Sequence, residues 1–507
     1  MLLQDRRTMR LKLSRTRAVI SVRRMRIKLL LLLLVMIFRS HAAGAQPRHQ
    51  SASFYLTHAT VIDMTGAPAK PDMTVLIKDN RIAELGRTGE VQIPQGAQVI
   101  DATGKFLIPG LWDMHVHILF LLRRMPDTFS PLFIANGVTS VRDMHGDLEL
   151  FKKWRAGTSQ GTQVRPRVVS ASLIVDGPKP LWSESLAVTS AEDGRKAVRE
   201  LKTRGANFVK VYSLLPRAAF FAIADESKKQ GLPLAGHVPI SVTAAEASDA
   251  GLKSLEHLLG VLLGCSSEED RLRWQLMKEV VSSGYAQSVV MRRLFFAPPE
   301  QIIKTYDERK AASLFARFAG NGTRQVPTLV VWRGEAFASD DTFRKDPRLR
   351  FVPRPIRESW LPQNSEQLKD LTPADVANLK KLYERYLELV GAMHRAGVEF
   401  MVGTDAPNPY VFPGFSVHDE MSLLVQAGLT PMQALQAATR NPAKYSGLDA
   451  SLGTVERGKI ADLVLLDANP LEDIGNSQKI AAVIFNGHLI RRQELNKLLT
   501  DVENSAR

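Results

Sequence analysis

Short β-branched runs alternate with longer helical patterns through the central part of the chain, residues 109–450. This alternation is typical of parallel strands joined by crossover helices, in a barrel or a doubly wound sheet. Eight runs are strand candidates, and eight is the number of strands in a (β/α)8 TIM-type barrel. They are Leu111–His117, Thr139–Arg142, Arg167–Leu173, Phe208–Val211, Leu234–His237, Ser254–His257, Gln325–Val330 and Glu399–Thr404. We therefore predict an α/β fold built around such a barrel.

The two ends of the chain, residues 54–108 and 451–494, read instead as short strands separated by turn residues. Asp79-Asn80 and Asn486-Gly487 are signals for tight two-residue turns between strands. Neither end has enough strands to bury a sheet face alone. We predict that the two ends together form one small β-sandwich domain.

Two stretches within the barrel region, near 266–324 and 332–392, are too long and too charged to be single crossover helices. We predict that they are helical excursions covering the mouth of the barrel. Residues 495–507 are predicted to be a C-terminal tail.

The basic charge of the chain is concentrated at its N-terminus. The formal net charge is +15, and residues 1–45 hold eleven Lys or Arg against one acidic residue, Asp5. The remainder therefore carries only about +5, which disfavours a nucleic-acid-binding role.

Residues 1–45 have the pattern of a secretory signal peptide, since basic residues precede the apolar run 29–38 and small residues end at Ala45. Met25 is a possible true start, and residues 46–53 form a polar linker. The apolar run is shorter than the roughly twenty residues that span a bilayer, so no stable membrane span is expected after cleavage. An uncleaved membrane anchor is the alternative. With a single cysteine, Cys265, the chain forms no internal disulfide, and export then favours a bacterial periplasm.

Metal-competent side chains fall at the carboxyl ends of the predicted strands, where barrel enzymes carry their chemistry. His115 and His117 are two residues apart on the first strand, so their imidazoles share one face and can meet one ion. The fourth, fifth, sixth and eighth strands end at Lys210, His237, His257 and Asp405. These six groups predict a metal centre. A buried ammonium among cations is costly, whereas a lysine carbamylated by carbon dioxide would be an anionic bridge between two metals.

Several motifs surround these residues: Gly104–His117, Gly137–Asp143, Gly403–Ala406, Gly453–Val455 and Gly458–Val464. In these motifs the chain resembles the amidohydrolase superfamily. Within it, the chain is similar to the imidazolonepropionase-like branch that includes metal-dependent Xaa-Pro and Xaa-Arg dipeptidases. The resemblance covers roughly residues 54–490, and it implies the same barrel and β-sandwich as the strand pattern.

The resemblance also implies how the ligands are shared between two divalent ions. His115, His117 and Asp405 would hold the more buried ion. His237 and His257 would hold the more exposed one, and carboxylated Lys210 would bridge them. Zinc is the first expectation, with Mn, Fe or Co as alternatives. The ions would activate water, and Asp405, the catalytic residue, would carry its proton to the leaving nitrogen.

The predicted function is hydrolysis of an amide bond in a dipeptide-like or N-acyl amino acid substrate, by an enzyme that is a homo-oligomer. A cyclic-amide hydrolase of the imidazolonepropionase type is the alternative, and a catalytically silent scaffold is a remote one. Tyr212 and His145 are candidates for substrate contacts or for oxyanion stabilisation, because they follow strand ends closely. The loop 176–182 differs from the Gly-Gly-His type of loop in many dipeptidases of this branch, which leaves the substrate open. Arg142 and Asp143 are predicted to form a structural pair under the loop that follows them.

Overall fold

Three hydrogen-bonded sheets organise the described part of the chain, which comprises residues 53–121, 127–159, 164–296, 300–365 and 368–507 of a computed structural model. Residues 53–507 form one unit of mixed α/β structure with parallel sheets. The predicted signal peptide and nearly all of the linker lie outside the described residues. Within those residues, no helix combines the length and the apolar character that crossing a membrane requires.

Seventeen strands lie in the described residues. They are β1 (Phe54–Val61), β2 (Lys70–Lys78), β3 (Arg81–Arg87), β4 (Gln98–Asp101), β5 (Phe106–Pro109), β6 (Leu111–Val116), β7 (Val138–Asp143), β8 (Arg167–Ser170), β9 (Ile174–Asp176), β10 (Leu186–Ala187), β11 (Val209–Val211), β12 (Leu234–Gly236), β13 (Leu252–Glu256), β14 (Arg324–Val326), β15 (Leu463–Leu466), β16 (Ile480–Phe485) and β17 (His488–Arg491).

The α-helices of the described residues connect and cover these strands. They are α1 (Ile118–Leu121), α2 (Ser130–Ala135), α3 (Leu148–Ser159), α4 (Ala191–Arg204), α5 (Arg217–Gln230), α6 (Ala244–Asp249), α7 (Val261–Gly264), α8 (Glu269–Ser282), α9 (Gln287–Met291), α10 (Gln301–Lys304), α11 (Glu308–Asn321), α12 (Leu329–Ala336), α13 (Asp341–Arg344), α14 (Arg354–Ser359), α15 (Pro373–Arg395), α16 (Phe415–Gln426), α17 (Pro431–Ala437), α18 (Arg440–Tyr445) and α19 (Arg492–Ser505). A π-helical turn spans Arg292–Phe296, and 3₁₀ turns span Pro347–Phe351 and Ile474–Gln478.

The largest sheet joins strands from the two ends of the chain. Its order is β17-β16-β15-β5-β1-β2-β3, and β4 runs parallel to β1. Both predicted tight turns close hairpins in it, since Lys78 pairs with Arg81 and Phe485 pairs with His488. Asn486 and Gly487 have φ of 51° and 81°, the left-handed values that this two-residue turn needs.

Strand β15 is buried on both faces, which ties this sheet to the rest of the molecule. Successive side chains of a strand point to opposite faces. Leu463 and Leu465 pack into the core of the end-to-end sheet, while Val464 and Leu466 join the main core of the chain.

The other two sheets carry parallel strands, in the orders β6-β7-β8 and β10-β9-β11-β12-β13-β14. Seven of the eight predicted central strands are present. The short strands β9 and β10 were missed, because runs of three and two residues leave no periodicity to read.

The predicted strand Gln325–Val330 is wrong in its second half. The strand ends at Val326, Thr328 takes a left-handed φ of 49°, and α12 begins at Leu329. The buried carboxylate of Glu420 accepts hydrogen bonds from the N–H groups of Leu329 (3.0 Å) and Val330 (2.9 Å). These bonds satisfy donors at a helix start, so a distant residue overrides the local β-branched pattern.

The predicted eighth strand, 399–404, forms backbone bridges on both sides without becoming a regular strand. On one side, the Met401 N–H donates to the carbonyl of Gln325 (2.9 Å). On the other side, the Met114 N–H donates to the carbonyl of Val402 (2.8 Å). A Cβ on Gly403 would lie 2.4 Å from Val326 and 3.0 Å from His115, so glycine permits this close approach.

The two predicted helical excursions are helical, and the segment predicted as a tail is mostly helical as well. Residues 266–324 contain α8 to α11, and residues 332–392 contain most of α15. The capping box of Thr372 and Asp375, with Pro373 in the first turn, fixes the start of α15. In α19, Leu495 and Val502 are buried seven residues apart, so this helix packs one apolar stripe on the molecule.

Replacing His418 of α16 by Gln is expected to reduce the sensitivity of the fold to acid. The imidazole is buried between Ser477 Oγ (2.9 Å) and the Asn136 carbonyl (3.0 Å), and burial lowers its pKa to about 4. The unfolded chain takes up a proton on His418 below about pH 6.5, whereas the folded chain does not until about pH 4. Stability is therefore lost as pH falls through this window, by about 2 kcal/mol at pH 5 from this side chain. Urea unfolding at pH 7.5 and 5, with chelator present, measures the difference.

The matched control for this experiment is His488→Gln, since His488 is exposed. An equal fall in unfolding free energy for wild type and His418→Gln would contradict the assignment.

Candidate metal centre

All six predicted ligands line one cavity of about 220 Å³ at the ends of the parallel strands. His115 lies on β6 and Lys210 on β11, and His117, His237 and His257 follow β6, β12 and β13 within one residue. Asp405 follows the irregular segment 399–404. The structure thus brings together residues from five separate parts of the chain.

Asp405 lies at the centre of the histidine group. Its Oδ1 is 3.0 Å from His117 Nε2 and 3.4 Å from His115 Nε2. Its Oδ2 is 3.8 Å from His257 Nδ1. The ligand atoms of His115, His257 and Asp405 all lie within 4.8 Å of one another, a spacing that can hold a metal ion.

Three of the imidazoles are fixed through their Nδ1 atoms by buried oxygen atoms. His115 Nδ1 is 2.8 Å from Glu256 Oε2, His237 Nδ1 is 2.9 Å from Ser213 Oγ, and His257 Nδ1 is 2.8 Å from Thr328 Oγ1. Such partners fix the ring orientation and the tautomer of metal-ligating histidines.

The electrostatics of the site favour neutral imidazoles, the form that binds metals. Burial, reinforced by nearby cationic groups including Lys210, lowers the pKa of His115, His237 and His257 well below the ordinary value. Burial also lowers the pKa of Lys210 to about 8, so a larger fraction of this amine is neutral near physiological pH.

Asp405 is held in its ionised form. Burial alone would raise the pKa of its carboxyl, but His257, His117 and Lys210 outweigh that effect and lower the pKa below its ordinary value. The carboxylate is thus available as an anionic ligand and as a base.

Three of the six predicted ligands have a buried polar atom that makes no hydrogen bond of suitable geometry among the described residues: Lys210 Nζ, His237 Nε2 and Asp405 Oδ1. Buried polar groups are nearly always satisfied, so unsatisfied ones point to a missing ligand. Imidazole and carboxylate donors, with an amine able to become a carbamate, suit divalent ions such as zinc. The residues present therefore fit a metal centre.

Backbone strain is concentrated at the same place. His257, Asp405 and Thr328 have φ of 60°, 62° and 49°, values that residues other than glycine rarely adopt. Such strain is found most often at functional sites, where the surrounding fold enforces it.

The predicted pairing of Arg142 with Asp143 is wrong. Arg142 extends from β7 to β13, where its Nη2 lies 2.8 Å from Glu256 Oε1. Adjacent strand residues point to opposite faces, which separates the two side chains. Asp143 instead accepts a hydrogen bond from the Leu119 N–H (2.9 Å), just after His117.

Glu256 is a supporting residue that the sequence reasoning missed. It links His115 to Arg142, and both carboxylate oxygens are fully buried with their partners. The sequence does contain a hint of this pairing. Arg142 and Glu256 both fall within strands predicted to be buried, and a buried charge needs a partner of opposite sign. Thr328, Ser213 and Glu335 were also missed, since each lies outside the quoted motifs.

Glu256→Gln is expected to weaken metal binding by about 10- to 100-fold and to lower stability by several kcal/mol. The carboxylate of Glu256 offers one oxygen to His115 Nδ1 and the other to Arg142 Nη2. A glutamine amide has a single oxygen, so it can accept a hydrogen bond from only one of these two donors. Metal competition titration and urea unfolding measure the two effects. Glu226→Gln is the control, because Glu226 is a buried carboxylate of α5 outside the cavity lining. Equal metal affinity in Glu256→Gln and wild type would contradict this role.

The two predicted substrate contacts also line the cavity. Tyr212 is buried with its ring 4.0 Å from that of His237, and its hydroxyl accepts a hydrogen bond from Trp182 Nε1 (3.0 Å). Burial raises the pKa of the phenol, so Tyr212 keeps its proton and can donate it in a hydrogen bond. His145 is buried at the cavity wall. Trp182, from the loop 176–182, lines the cavity beside Tyr212.

Comparison with known proteins shows a resemblance to one family of enzymes. Residues 366–490 match the amidohydrolase family model. Over 481 aligned residues the chain is 25% identical to the ochratoxinase of Aspergillus niger, covering 82% of each protein. In these comparisons the chain resembles the amidohydrolase superfamily. The resemblance predicted from the motifs is thereby confirmed, and with it the prediction that the protein is an enzyme.

Solved amidohydrolase structures share its fold. Bottromycin amidohydrolase matches with a TM-score of 0.69 at 22% identity, covering 90% of this chain and 91% of that one. A Xaa-Pro dipeptidase with methionine bound in its active site matches with a TM-score of 0.61 at 18% identity, covering 87% and 100%. At these identities the likeness concerns the fold alone. Members of this superfamily generally bind divalent metals, which agrees with the donor set of the cavity.

Proposed function

We propose that this amidohydrolase uses two divalent metal ions to hydrolyse the amide bond of a small dipeptide-like or N-acyl amino acid substrate. The observation that carries the proposal is the convergence of six metal-competent side chains on one cavity, with three of their buried polar atoms left unpartnered. Ochratoxinase and the Xaa-Pro dipeptidase, by their names, act on related bonds.

We also propose that the parallel strands close into a (β/α)8 barrel, with the end-to-end sheet as part of a β-sandwich. Segment 399–406 supports closure of the barrel, because Phe400 forms a bridge with Gln325 of β14 and Ala406 forms a bridge with Val116 of β6. The Asn207 N–H, just before β11, donates to the carbonyl of Ser170 in β8 (2.9 Å), which supports contact between the two parallel sheets.

In the proposed ligand set, His115, His117 and Asp405 would hold one ion, His237 and His257 would hold the other, and carbamylated Lys210 would supply a ligand to both. Ions bound there, zinc in the first instance, would acidify the attacking water and polarise the substrate carbonyl. The carbamate forms when the neutral Lys210 amine bonds to the carbon of CO₂ and loses a proton, leaving one negative charge.

The residues of the chain carry the proton and hold the substrate. Asp405 accepts the proton of the attacking water and gives it to the nitrogen as the C–N bond breaks. The Tyr212 hydroxyl, oriented by Trp182, donates a hydrogen bond to the substrate oxygen. Buried apolar side chains on the cavity wall exclude water from the reacting bond: Ile174, Phe295, Val331 and Trp332.

A substrate screen tests the proposal. The mature enzyme, loaded with zinc or manganese, is assayed against dipeptides, N-acyl amino acids, cyclic amides and lactones. Turnover of linear amides supports the proposal. Selective turnover of cyclic amides would favour the imidazolonepropionase type instead, and lactone cleavage without amide turnover would overturn the substrate class.

Export to a bacterial periplasm is part of the same proposal and has its own test. N-terminal sequencing of the protein from periplasmic and membrane fractions is expected to show cleavage after Ala45. A membrane-bound chain that retains residues 1–45 would contradict it.

A further inference from the structure

Helix α12 presents a buried carboxylate to the cavity, in addition to the six proposed ligands. Val331, Trp332 and Glu335 of this helix line the cavity, at positions i, i+1 and i+4, which share one helical face. Glu335 is only 7% exposed, and its Oε2 has no hydrogen-bond partner among the described residues. Neither the proposed metal centre nor the proposed proton transfer uses this group.

The surrounding structure fixes the position of Glu335. Glu420 holds the first turn of α12 through two backbone N–H groups. The helix lies so close to residues 405–410, here called the Asp405 loop, that a Cβ on Gly334 would be 2.6 Å from the carbonyl oxygen of Pro409. On the outer side, the ring of Trp332 packs 4.8 Å from that of Tyr386. Glu335 is therefore a rigid part of the cavity wall.

Without a bound ligand, the surroundings of Glu335 disfavour an ionised carboxylate. In the part of the chain that the structure describes, no hydrogen bond or ion pair engages its carboxylate. Burial, and then the negative charge of Asp405, raise its pKa well above the ordinary value. A buried carboxylate is usually paired, because an unpaired one carries a large desolvation cost. A cationic ligand would remove that cost.

We propose that Glu335 binds the ammonium group of the substrate, which makes this enzyme selective for amides that carry a free amino group beside a bulky apolar side chain. This inference rests on the proposed amide hydrolysis and narrows its substrate class from N-acylated to unblocked compounds. The rings of Trp182, Phe295 and Trp332 line the same cavity and add a second attraction, since aromatic faces bind ammonium groups. They also supply the apolar surface for the side chain.

The test compares two substrates that differ only in the ammonium group, built on the best linear amide from the screen. An example is L-phenylalanyl-L-alanine against 3-phenylpropanoyl-L-alanine. Both are assayed with wild type, Glu335→Gln and the control Glu226→Gln. We expect wild type to prefer the amino compound by about 10- to 100-fold in kcat/KM, the range of a charge-assisted hydrogen bond. Glu335→Gln is expected to lose most of that preference through KM and to keep its turnover of the deamino compound.

The outcomes separate this inference from the proposed function. If no linear amide is hydrolysed, the proposed function fails. If amides are hydrolysed and Glu335→Gln keeps the wild-type preference, or loses both activities equally, Glu335 does not recognise the amino group. Turnover of the deamino compound also reports that Glu335→Gln is folded, and Glu335→Asp should restore part of the preference.

Discussion

Asp405→Asn is expected to lower kcat by at least about 10³-fold while most of the metal stays bound. The asparagine carbonyl can still be a ligand, but the amide cannot accept and return the proton of the attacking water. Asp405 suits this role because its carboxylate is ionised at the centre of the histidine group, with Oδ1 unpartnered by hydrogen bonds among the described residues. Steady-state kinetics together with metal analysis of the same sample measure both effects.

Asp113→Asn is the control for Asp405→Asn. Asp113 is buried nearby, accepts the Thr404 N–H (2.9 Å) and does not line the cavity. We expect its loss of activity to stay within the roughly 10- to 100-fold of a supporting residue. Full turnover by Asp405→Asn with metal bound would remove Asp405 from the mechanism.

Lys210→Ala is expected to reduce bound metal from two ions to one per chain and to lower kcat/KM by more than the roughly 100-fold of a supporting residue. The variant removes the proposed carbamate bridge and leaves space for a small carboxylate. Short-chain acids such as acetate or propionate should then restore part of the activity, because a carboxylate stands in for the carbamate. Metal loss without any rescue, at saturating carboxylate and metal, would contradict the bridge.

The same amine gives a pH dependence to assembly of the site. The neutral amine is the form that reacts with CO₂. With a pKa of about 8, roughly a tenth of Lys210 is neutral at pH 7, against less than about a thousandth at its ordinary value. At a constant concentration of dissolved CO₂, the rate at which metal activates the metal-free enzyme is therefore expected to rise about tenfold from pH 6 to 7 and to level off above 8. A rate independent of the CO₂ concentration would contradict carbamylation.

The strand pattern predicted most of the strands that carry the site residues. The spacing of apolar residues and the turn residues at strand ends can both be read from a short stretch of sequence. The structure has His115 on β6, His117 directly after it, Lys210 on β11 and His237 directly after β12, as the strand pattern predicts. The end-to-end sheet was predictable for the same reason, since each end has too few strands to be stable alone.

The remaining features depend on contacts between distant parts of the chain. Leu329 and Val330 read as strand, and Glu420, some ninety residues later, makes them a helix start. Glu256 supports His115 across 141 residues of sequence. Glu335 has no motif around it, and only the packing of α12 against the Asp405 loop brings it to the cavity. Such residues orient the ligands and shape the cavity through tertiary contacts, and the periodicity of a short stretch of sequence does not reveal those contacts.

Anomalous diffraction from crystals grown with zinc would locate the metal ions themselves. We expect two peaks about 3.5–4 Å apart in the cavity, one within bonding distance of His115, His117 and Asp405 and the other near His237 and His257. Continuous density beyond Lys210 Nζ should join them. Absence of both peaks at saturating metal, or a single ion with an unmodified Lys210, would contradict a two-metal centre.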